Sequence, residues 1–575
     1  MNIFDHYLKK FNDLVSVNLD KLNLDKSISL DGVVIEIPPQ EFDFDLSTNI
    51  ALVLGKKSKQ APNKFATIFV ELIKNNMKDF GSIEIAGPGF INFKFSNSTY
   101  QRIMKDILET KSHYGSNNKK KETYNIEFVS ANPTGPMHIG HSRGAVFGDV
   151  LSNLLIFNGN KVTREYYIND YGNQIVNFTE SVFYRLREIK FKEKFEKKEN
   201  LYPGDYIIDI AKKILDDKPD IKLINFKDIF DFLKEESLKH SMKMIKDDLE
   251  ALGIHHDNFV SETKLVEKNL VKKSVDYLIS KNYVVEGYLD PPKGEENKNW
   301  KKVKRLVFKS TLFGDDTDRA LQKDDGSWTY FANDIAYHSD KVDRNYNYLV
   351  NVLGADHTGY IKRITAATKA LSENNTKLIC KVCQLVKLFK NGEPYKMSKR
   401  AGDFISVREF LNEVDKDSIR FMMLNRSNDV ELDFDFDKVL EKTRDNPVFY
   451  VQYCYARISS LFRNINKDIN GSFELDLENF NLNSLELQLF RKILDWPKVI
   501  ETAANKLEPH RIPFYLYELA TIFHSYWSKG NENEEYKFLL DDKIKNLNTF
   551  FMIKLVEQTI SNGMKILGVS LPNKM

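Results

Sequence analysis

The segment 124–168 constrains the fold of this chain more than any other part of it. An alternating apolar strand comes first, and residues 133–136, which include two prolines, end that strand. A helical pattern follows over 140–157, and the alternation over 162–168 predicts the next strand. Strand, helix and strand in this order form a βαβ unit, and βαβ units build parallel sheets. We therefore expect a Rossmann-like α/β core.

The chain has 575 residues, which is too many for one hydrophobic core. We expect a small α+β domain over 1–112, the α/β domain over 113–440 and an all-α domain over 441–575. The segment 185–300 is charged and helical, and it is expected to be an insertion in the α/β domain.

Local patterns add detail to this division. Residues 33–37 alternate like a strand, and 83–85 and 90–93 predict two strands joined by the turn Gly87-Pro88-Gly89. Residues 378–388 are expected to form one buried strand. A last set of apolar residues recurs at three- and four-residue steps and predicts one face of a helix: Val448, Val451, Tyr455, Ile458 and Phe462.

The composition excludes several classes of protein. A net charge of +2 creates no global field for nucleic acid, so any such binding depends on local patches. Three cysteines argue against a disulfide framework, and no apolar run reaches the ~20 residues that cross a bilayer. The N-terminal residues mix both charges and fit no signal peptide. We expect a cytoplasmic protein.

The turn at the end of the first strand contains His138-Ile139-Gly140-His141. The amino end of a helix offers unpaired N–H groups to a phosphate, and the two imidazoles can donate hydrogen bonds to phosphate oxygens. Gly140, Gly144 and Gly148 leave one face of the helix without side chains, which permits a close approach to the sheet. The alternative is a pair of packed or surface histidines.

A basic loop, Lys396-Met397-Ser398-Lys399, follows about 250 residues later. Such a loop can hold a leaving pyrophosphate, and its alternative is an ordinary solvated surface. The chain contains neither a Gly-x4-Gly-Lys-Ser/Thr loop nor a Gly-x-Gly-x-x-Gly turn after a strand, which disfavours P-loop enzymes and kinases. The histidine turn and the lysine loop together indicate ATP chemistry on a carboxylate.

Further candidate residues lie between these two motifs. Tyr330 and Asp334 are four residues apart and share a helical face, where a carboxylate beside a phenol suits a guanidinium. Asp356-His357 follows a predicted strand, a position from which a carboxylate often contacts a ribose. Cys380 and Cys383 have no second cysteine pair to complete a metal site, so we expect them to lie in a core strand. His255-His256 has no partner at metal-ligand spacing, so we expect a surface loop at these residues.

These motifs resemble those of bacterial-type arginyl-tRNA synthetases, which are class I aminoacyl-tRNA synthetases. The resemblance extends over nearly the whole chain and is weakest at 1–30 and 185–300. Arg400 stands where many class I enzymes have serine. The segments that carry the resemblance are 127–141, with the sequence Glu-Phe-Val-Ser-Ala-Asn-Pro-Thr-Gly-Pro-Met-His-Ile-Gly-His, and 168–175, 330–337, 354–360, 455–458, 510–512 and 567–575.

The resemblance implies ligation of L-arginine to tRNA(Arg) through an arginyl-adenylate, with release of pyrophosphate and AMP, on a class I α/β core. ATP with Mg²⁺ would be a substrate, without a dedicated protein metal site. Activation of the amino acid would generally require the tRNA. The implied catalytic residues are His138, Gly140, His141, Lys396 and Lys399. The implied ATP-binding residues are Pro133, Gly135, Met137, Asp356, His357, Met397 and Ser398.

The implied arginine-binding residues are Glu127, Asn132, Tyr330, Asp334 and Gln174. The candidates for tRNA binding in the C-terminal helices are Tyr455, Arg457, Tyr526, Trp527 and Met575. We expect a monomer. Three alternatives are another class I synthetase, a tRNA-binding paralogue without catalysis, and a small-molecule nucleotidyltransferase. The first is disfavoured because the chain lacks zinc-ligand cysteines and has no room for an editing domain. The intact histidine and lysine motifs disfavour the second. About 135 residues of C-terminal helices disfavour the third.

Overall fold

The structure is a computed structural model that describes residues 2–39, 41–117, 121–195, 199–289, 303–395, 405–464, 480–540, 543–544 and 547–575. The chain divides into two compact units. One unit combines residues 1–118 with 441–575, and the other comprises 119–440.

The amino-terminal part of the first unit is a four-stranded antiparallel sheet with helices, in the order β1-β2-β4-β3. The predicted strand pair around Gly87-Pro88-Gly89 is confirmed, whereas the predicted strand at 33–37 is only two residues long, since Pro38 and Pro39 follow it. The elements are α1 Ile3–Ser16, α2 Leu19–Leu22, β1 Ile35–Glu36, β2 Leu46–Thr48, α3 Ile50–Lys57, α4 Pro62–Asn76, β3 Phe80–Ala86, β4 Phe90–Phe95 and α5 Asn97–Thr110.

The second unit contains a five-stranded parallel sheet in the order β12-β11-β5-β6-β7. Its elements are β5 Thr123–Glu127, α6 Ile139–Phe157, β6 Lys161–Ile168, α7 Asn173–Phe191, α8 Asp205–Asp217, α9 Phe226–Ala251, β7 Asn258–Ser261, α10 Glu262–Glu267, α11 Leu270–Ser280, β8 Val284–Gly287, β9 Arg305–Phe308, β10 Arg319–Ala320, α12 Tyr330–Asp343, β11 Tyr348–Gly354, α13 Ile361–Ser372, β12 Lys377–Cys383, β13 Val386–Lys390, β14 Glu393–Pro394, α14 Val407–Glu413, α15 Lys416–Met422, β15 Leu432–Asp435 and α16 Phe436–Leu440.

The predicted βαβ unit is confirmed as β5, α6 and β6, and β5 pairs in parallel with β6. Chain order runs from β5 outward through β6 to β7 and then resumes on the other side of β5 with β11. The sheet order therefore reverses between β5 and β11. In open parallel sheets a ligand crevice forms at the carboxyl ends of the strands at such a point.

The prediction of one buried strand over 378–388 is wrong, because β12 and β13 belong to different sheets. The backbone turns at Gln384, whose N–H donates to the carbonyl of Asn428 (2.8 Å) and whose carbonyl accepts from the guanidinium of Arg143 (2.9 Å). The segment 185–300 also contains β7, which is the edge strand of the parallel sheet.

The carboxyl-terminal part of the first unit is helical, and its predicted apolar helix is confirmed as α17, where Val448, Val451 and Ile458 are at most 2% exposed. No helix among the residues described above is long and apolar enough to cross a membrane. The elements are α17 Pro447–Asn464, α18 Ser484–Lys506, α19 Arg511–Glu532, β16 Leu539–Leu540, β17 Lys543–Ile544 and α20 Leu547–Leu567.

Candidate active site

The histidine turn lies between β5 and α6, at the carboxyl edge of the parallel sheet. His138 is the N-cap of α6, and its ring stacks on the ring of His141 with 3.8 Å between centroids. The Nδ1 of His138 accepts a hydrogen bond from the N–H of Gly140 (3.1 Å). A Cβ at residue 140 would lie 2.9 Å from the His138 ring, so glycine is required for this contact.

The hydrogen bonds define which ring nitrogen carries the proton. The Nδ1 of His141 accepts from the backbone N–H of His138 (3.3 Å), as the Nδ1 of His138 accepts from Gly140. A neutral imidazole whose Nδ1 accepts carries its proton on Nε2. Burial lowers the pKa of His138, and burial together with His138 lowers the pKa of His141 to about 3. Both rings are therefore neutral Nε2–H donors at physiological pH.

The expectation of unpaired N–H groups at the start of α6 is wrong for its first three residues. The N–H of Ile139 donates to the carbonyl of Ile405 (2.9 Å), that of Gly140 to His138, and that of His141 to the carbonyl of His138 (2.8 Å). These donors are satisfied within the protein, so the imidazoles rather than the backbone are the donors for a phosphate.

The chain between β5 and the histidines has an unusual backbone. Val129 and Ser130 have φ values of 70° and 39°, and a β-branched residue at positive φ is strained. The Ser130 hydroxyl donates to Glu127 (3.1 Å) and accepts from the N–H of Tyr167 (3.1 Å), which attaches this turn to β6. The strained conformation thus places Ser130 between the ends of two neighbouring strands.

A cluster of three acidic side chains, Asp334 on α12 with Glu262 and Glu127, lies at the same edge of the sheet. Burial, together with the charges of Glu262 and Glu127, raises the pKa of Asp334 to about 7, although a hydrogen bond from Tyr360 opposes the shift. The phenol that bonds Asp334 is that of Tyr360 rather than that of Tyr330. Tyr330 is 76% exposed, with the Nζ of Lys323 5.5 Å from its ring centroid.

Glu262 belongs to this acidic cluster, although the sequence did not indicate it. It is 6% exposed, accepts from the Nδ2 of Asn333 (3.0 Å) and hydrogen bonds with Tyr167, and burial raises its pKa. It begins α10 directly after β7, so the available signal was a carboxylate at the carboxyl end of a strand. That strand was not visible inside a charged helical segment.

A buried lysine balances part of this negative charge. Lys341 is fully buried, and its ammonium group pairs with Glu127 and donates to Asn351 (3.2 Å). Asn351 in turn contacts the Nε2 of His338 (3.0 Å). Lys341 lies seven residues after Asp334 on α12, two turns along the same face. Among the described residues, Glu127 thus pairs with a cation, whereas no salt bridge to Asp334 or Glu262 is formed.

The other predicted substrate-binding residues lie on the turn or at the carboxyl ends of neighbouring strands. Pro133 and Met137 are buried, and Gly135 packs against Tyr206, whose Cζ would be 3.0 Å from a Cβ there. Asn132 is exposed and accepts from the Nδ2 of Asn169 (3.4 Å). Three more follow strands of the parallel sheet: Gln174 is half-buried near the start of α7, and Asp356 and His357 are exposed after β11, 3.5 Å apart.

Lys396, Met397, Ser398 and Lys399 lie outside the described residues, so their predicted roles stay predictions. The chain is described again from Ile405, which bonds Ile139 as noted above. Ser406 forms an antiparallel bridge with His138. The segment that follows the lysine loop is thus paired with the histidine turn.

The candidates for tRNA binding lie in the helical part of the first unit. The guanidinium of Arg457 lies 4.3 Å from the ring centroid of Tyr453 and 5.0 Å from that of Trp527, and it contacts His524 (3.0 Å). Tyr455 and Trp527 are half-buried, and Met575 is 54% exposed. Tyr526 is 1% exposed and donates to Glu486 (3.0 Å), so it is a core residue.

The cysteine pair lies on β12, as expected, and burial raises the pKa of both thiols to about 12. His255 is exposed as predicted, but His256 stacks on Phe128 with 4.2 Å between centroids. Among the described residues, Asp217, Glu236 and His240 are the group with potential metal-ligand spacing. Lys239 donates to Glu236 (2.9 Å), and the Asp217 side chain is 55% exposed, so this group carries no metal assignment.

A parallel sheet with a His-Ile-Gly-His turn after its first strand is the catalytic fold of class I aminoacyl-tRNA synthetases. Three family models match: the arginyl tRNA synthetase N terminal domain over 9–95, the class I (R) tRNA synthetase catalytic domain over 103–276 and the DALR anticodon binding domain over 451–575. The chain belongs to the arginyl-tRNA synthetase family.

Relatives and solved structures agree with this assignment. The arginine--tRNA ligase of Pelagibacter ubique is 52% identical, and that of Bartonella tribocorum is 42% identical, each with both chains covered over 100% of their length. The crystal structure of a putative arginyl-tRNA synthetase from Campylobacter jejuni superposes with a TM-score of 0.73 at 32% identity, covering 84% of this chain and 100% of that one.

Proposed function

We propose that this protein ligates L-arginine to tRNA(Arg) at the expense of ATP, through an arginyl-adenylate. The observation that supports the specificity is the acidic cluster of Asp334, Glu262 and Glu127. A guanidinium is planar and always charged, and it binds carboxylates with paired hydrogen bonds. A neutral side chain would leave Asp334 and Glu262 without a cation, which costs much of the binding energy.

The arginine carboxylate attacks the α-phosphorus of ATP, the bond to the β-phosphate oxygen breaks, and pyrophosphate leaves. A terminal ribose hydroxyl of the tRNA then takes the aminoacyl group and AMP departs. The Nε2–H groups of His138 and His141 would donate to phosphate oxygens whose negative charge grows in the transition state. Gly140 permits the His138 ring position, and Pro133, Gly135 and Met137 shape the ATP side of the turn.

The remaining substrate contacts are assigned by position. Tyr330 would cover the guanidinium group of arginine, and Glu127, Asn132 and Gln174 would hold its α-ammonium and carboxylate groups. Asp356 and His357 follow β11 at the point where the sheet order reverses, which suits the adenosine.

Lys396 and Lys399, with Met397 and Ser398, would hold the pyrophosphate side. The pairing of Ser406 with His138, seven residues after Lys399, supports this placement. ATP would arrive with Mg²⁺ as part of the substrate.

We assign tRNA contacts to Tyr455, Arg457, Trp527 and Met575. Arg457, with Tyr453 and Trp527 beside it, places a cation next to aromatic rings, a combination that suits an unstacked base. We further propose that the protein is a monomer, that it is located in the cytoplasm, and that its domains comprise residues 1–112, 113–440 and 441–575.

The deciding experiment is pyrophosphate exchange with each of the twenty amino acids, with and without bulk tRNA. Exchange with arginine alone, and only when tRNA is present, is the expected result. Exchange with any other amino acid at a comparable kcat/KM would refute the assigned specificity, and the absence of exchange with all twenty would refute the activity itself.

A further inference from the structure

Asp248 lies next to the histidine turn although it is 111 residues away from Met137 in the sequence. It is on α9, in the charged helical segment, and is 2% exposed. One carboxylate oxygen accepts from the backbone N–H of Met137 (3.1 Å), and the other accepts from the Nε of Arg408 (2.9 Å). Both oxygens of a buried carboxylate are therefore used on partners that flank the turn.

The backbone on the far side of His138 is held as well. The carbonyl of Met137 accepts from the N–H of Val407 (2.9 Å), and the N–H of Ile139 donates to the carbonyl of Ile405 (2.9 Å). Residues 405–407 thus pair antiparallel with 137–139, centred on His138 and Ser406. Arg408 follows directly, in the first turn of α14, whose N-cap Ser406 forms a capping box with Glu409.

Asp248 therefore connects the two paired segments: it accepts from the backbone N–H of Met137 in one and from the guanidinium of Arg408, which directly follows the other. Burying an ionised carboxylate is costly unless it is hydrogen bonded. Arg408 and the N–H of Met137 lower the pKa of Asp248, while burial raises it and prevails. The hydrogen bonds from Met137 and Arg408 offset this cost, so Asp248 and its two partners form one connected unit.

We propose that Asp248 is a positioning residue for the two histidines of the active site. By fixing Met137 and Arg408 it fixes the backbone on both sides of His138, and with it the direction of the Nε2–H groups of His138 and His141. A displacement of about 1 Å in such donors can cost 10²-fold in rate. The inference rests on the proposed function, and it gives the segment 185–300 a role in catalysis.

The test compares Asp248→Asn with Asp247→Asn in aminoacylation assays that determine kcat and the KM for arginine separately. Asp247 is on the same helix, pairs with Lys243 (3.0 Å) and has no contact with the turn among the described contacts, so it is a matched control for the loss of charge. We expect kcat to fall about tenfold or more in Asp248→Asn, with the KM for arginine within twofold of wild type, and no change in Asp247→Asn.

A double-mutant cycle with Arg408→Gln tests the mechanism, because the Arg408 side chain is 56% exposed and its replacement leaves the core intact. If both residues act through one anchor, the kcat of the double variant is no lower than that of the more impaired single variant. Additive losses, a kcat within twofold of wild type for Asp248→Asn, or an equal loss in Asp247→Asn would overturn the proposal.

Hydrogen exchange of the backbone over 137–141 provides a readout that does not require the reaction. Exchange should accelerate in Asp248→Asn at an unchanged melting temperature, and unchanged exchange would overturn the anchoring. A wild-type protein without arginine-dependent activity would instead refute the proposed function, so the two failures are distinguishable.

Discussion

Burial shifts the pKa values of the two kinds of titratable group at the proposed active site in opposite directions. It lowers the pKa of His138 and His141 and keeps both rings neutral, whereas it raises the pKa of Asp334 to about 7. Both shifts favour the uncharged form, as desolvation always does. The histidines are therefore uncharged hydrogen-bond donors, and Asp334 becomes fully ionised only when a cation binds beside it.

The pKa of Asp334 predicts a pH dependence of arginine binding. A carboxyl group with a pKa of about 7 takes up a proton as the pH falls through 7, and the guanidinium binds the ionised form. The affinity for arginine should therefore be constant above pH 8 and decrease by up to about tenfold per pH unit below 7. The measurement is the KM for arginine between pH 5.5 and 8.5. In Asp334→Asn the affinity should be low and this dependence absent; a flat wild-type profile would contradict the assignment.

The histidine pair makes a second prediction at the residue scale. His141→Ala removes one Nε2–H donor from the transition state, and we expect kcat to fall by about 10²-fold. His255→Ala is the control, because His255 is an exposed histidine in a loop. Single-turnover aminoacylation measures the effect, and a rate near that of wild type in His141→Ala would exclude this residue from catalysis. Because the pKa of His141 is about 3, its titration should not appear in the profile between pH 5.5 and 8.5.

At the scale of the element, the glycine face of α6 determines how closely the helix lies on the sheet. A Cβ at residue 148 would be 2.2 Å from the ring of Phe128, whereas a Cβ at residue 144 would be 3.9 Å from Val352. Both glycines lie in the same helix, and the sequence does not distinguish them. Only the position of Phe128, the residue after β5, shows that a side chain has no room at residue 148.

Gly148→Ala and Gly144→Ala are therefore a matched pair. We expect Gly148→Ala to destabilise the protein by about 1–3 kcal/mol, since the helix must move off the sheet. Gly144→Ala should be neutral or stabilising by up to about 1 kcal/mol, because alanine favours the helix more than glycine does. Urea denaturation followed by circular dichroism measures both, and equal effects of the two substitutions would contradict the packing argument.

At the scale of the whole molecule, the two ends of the chain build one unit. The indole N–H of Trp496 donates to the carbonyl of Tyr114 (3.0 Å), and the Tyr114 hydroxyl donates to the carbonyl of Ile493 (2.8 Å). Arg491 pairs through Nε with the fully buried Asp45 (2.9 Å). The amino-terminal sheet and the carboxyl-terminal helices thus share buried polar contacts, so they should unfold together.

Arg491→Ala tests this unity. It leaves the carboxylate of Asp45 buried without its cation, and losing one partner of a buried pair costs about 3 kcal/mol or more. Hydrogen exchange should then accelerate in both α18 and β2. Arg444→Ala is the control, since Arg444 is 80% exposed beside an exposed Asp445 and a surface pair contributes about 0–1 kcal/mol. Acceleration confined to α18 would contradict a shared unit.

The sequence by itself determined the elements whose signals are local: the βαβ unit, the turn at Gly87-Pro88-Gly89, the apolar face of α17 and the histidine turn. Periodicity and turn residues act over a few positions, so they can be read directly. The motif resemblance likewise named Glu127 and Asp334 as arginine-binding candidates before any geometry was known.

Only the tertiary structure decided what surrounds those residues. Glu262, Tyr360 and Lys341 come from different elements and meet at one edge of the sheet, as Asp248 meets Met137 across 111 residues. The end of β12 before Gln384 and the formation of β7 within a charged segment also depend on residues that are distant in the sequence, namely Arg143 for Gln384 and the strand β6 for β7. Burial and charge, which set the pKa of each group, exist only once the chain has folded.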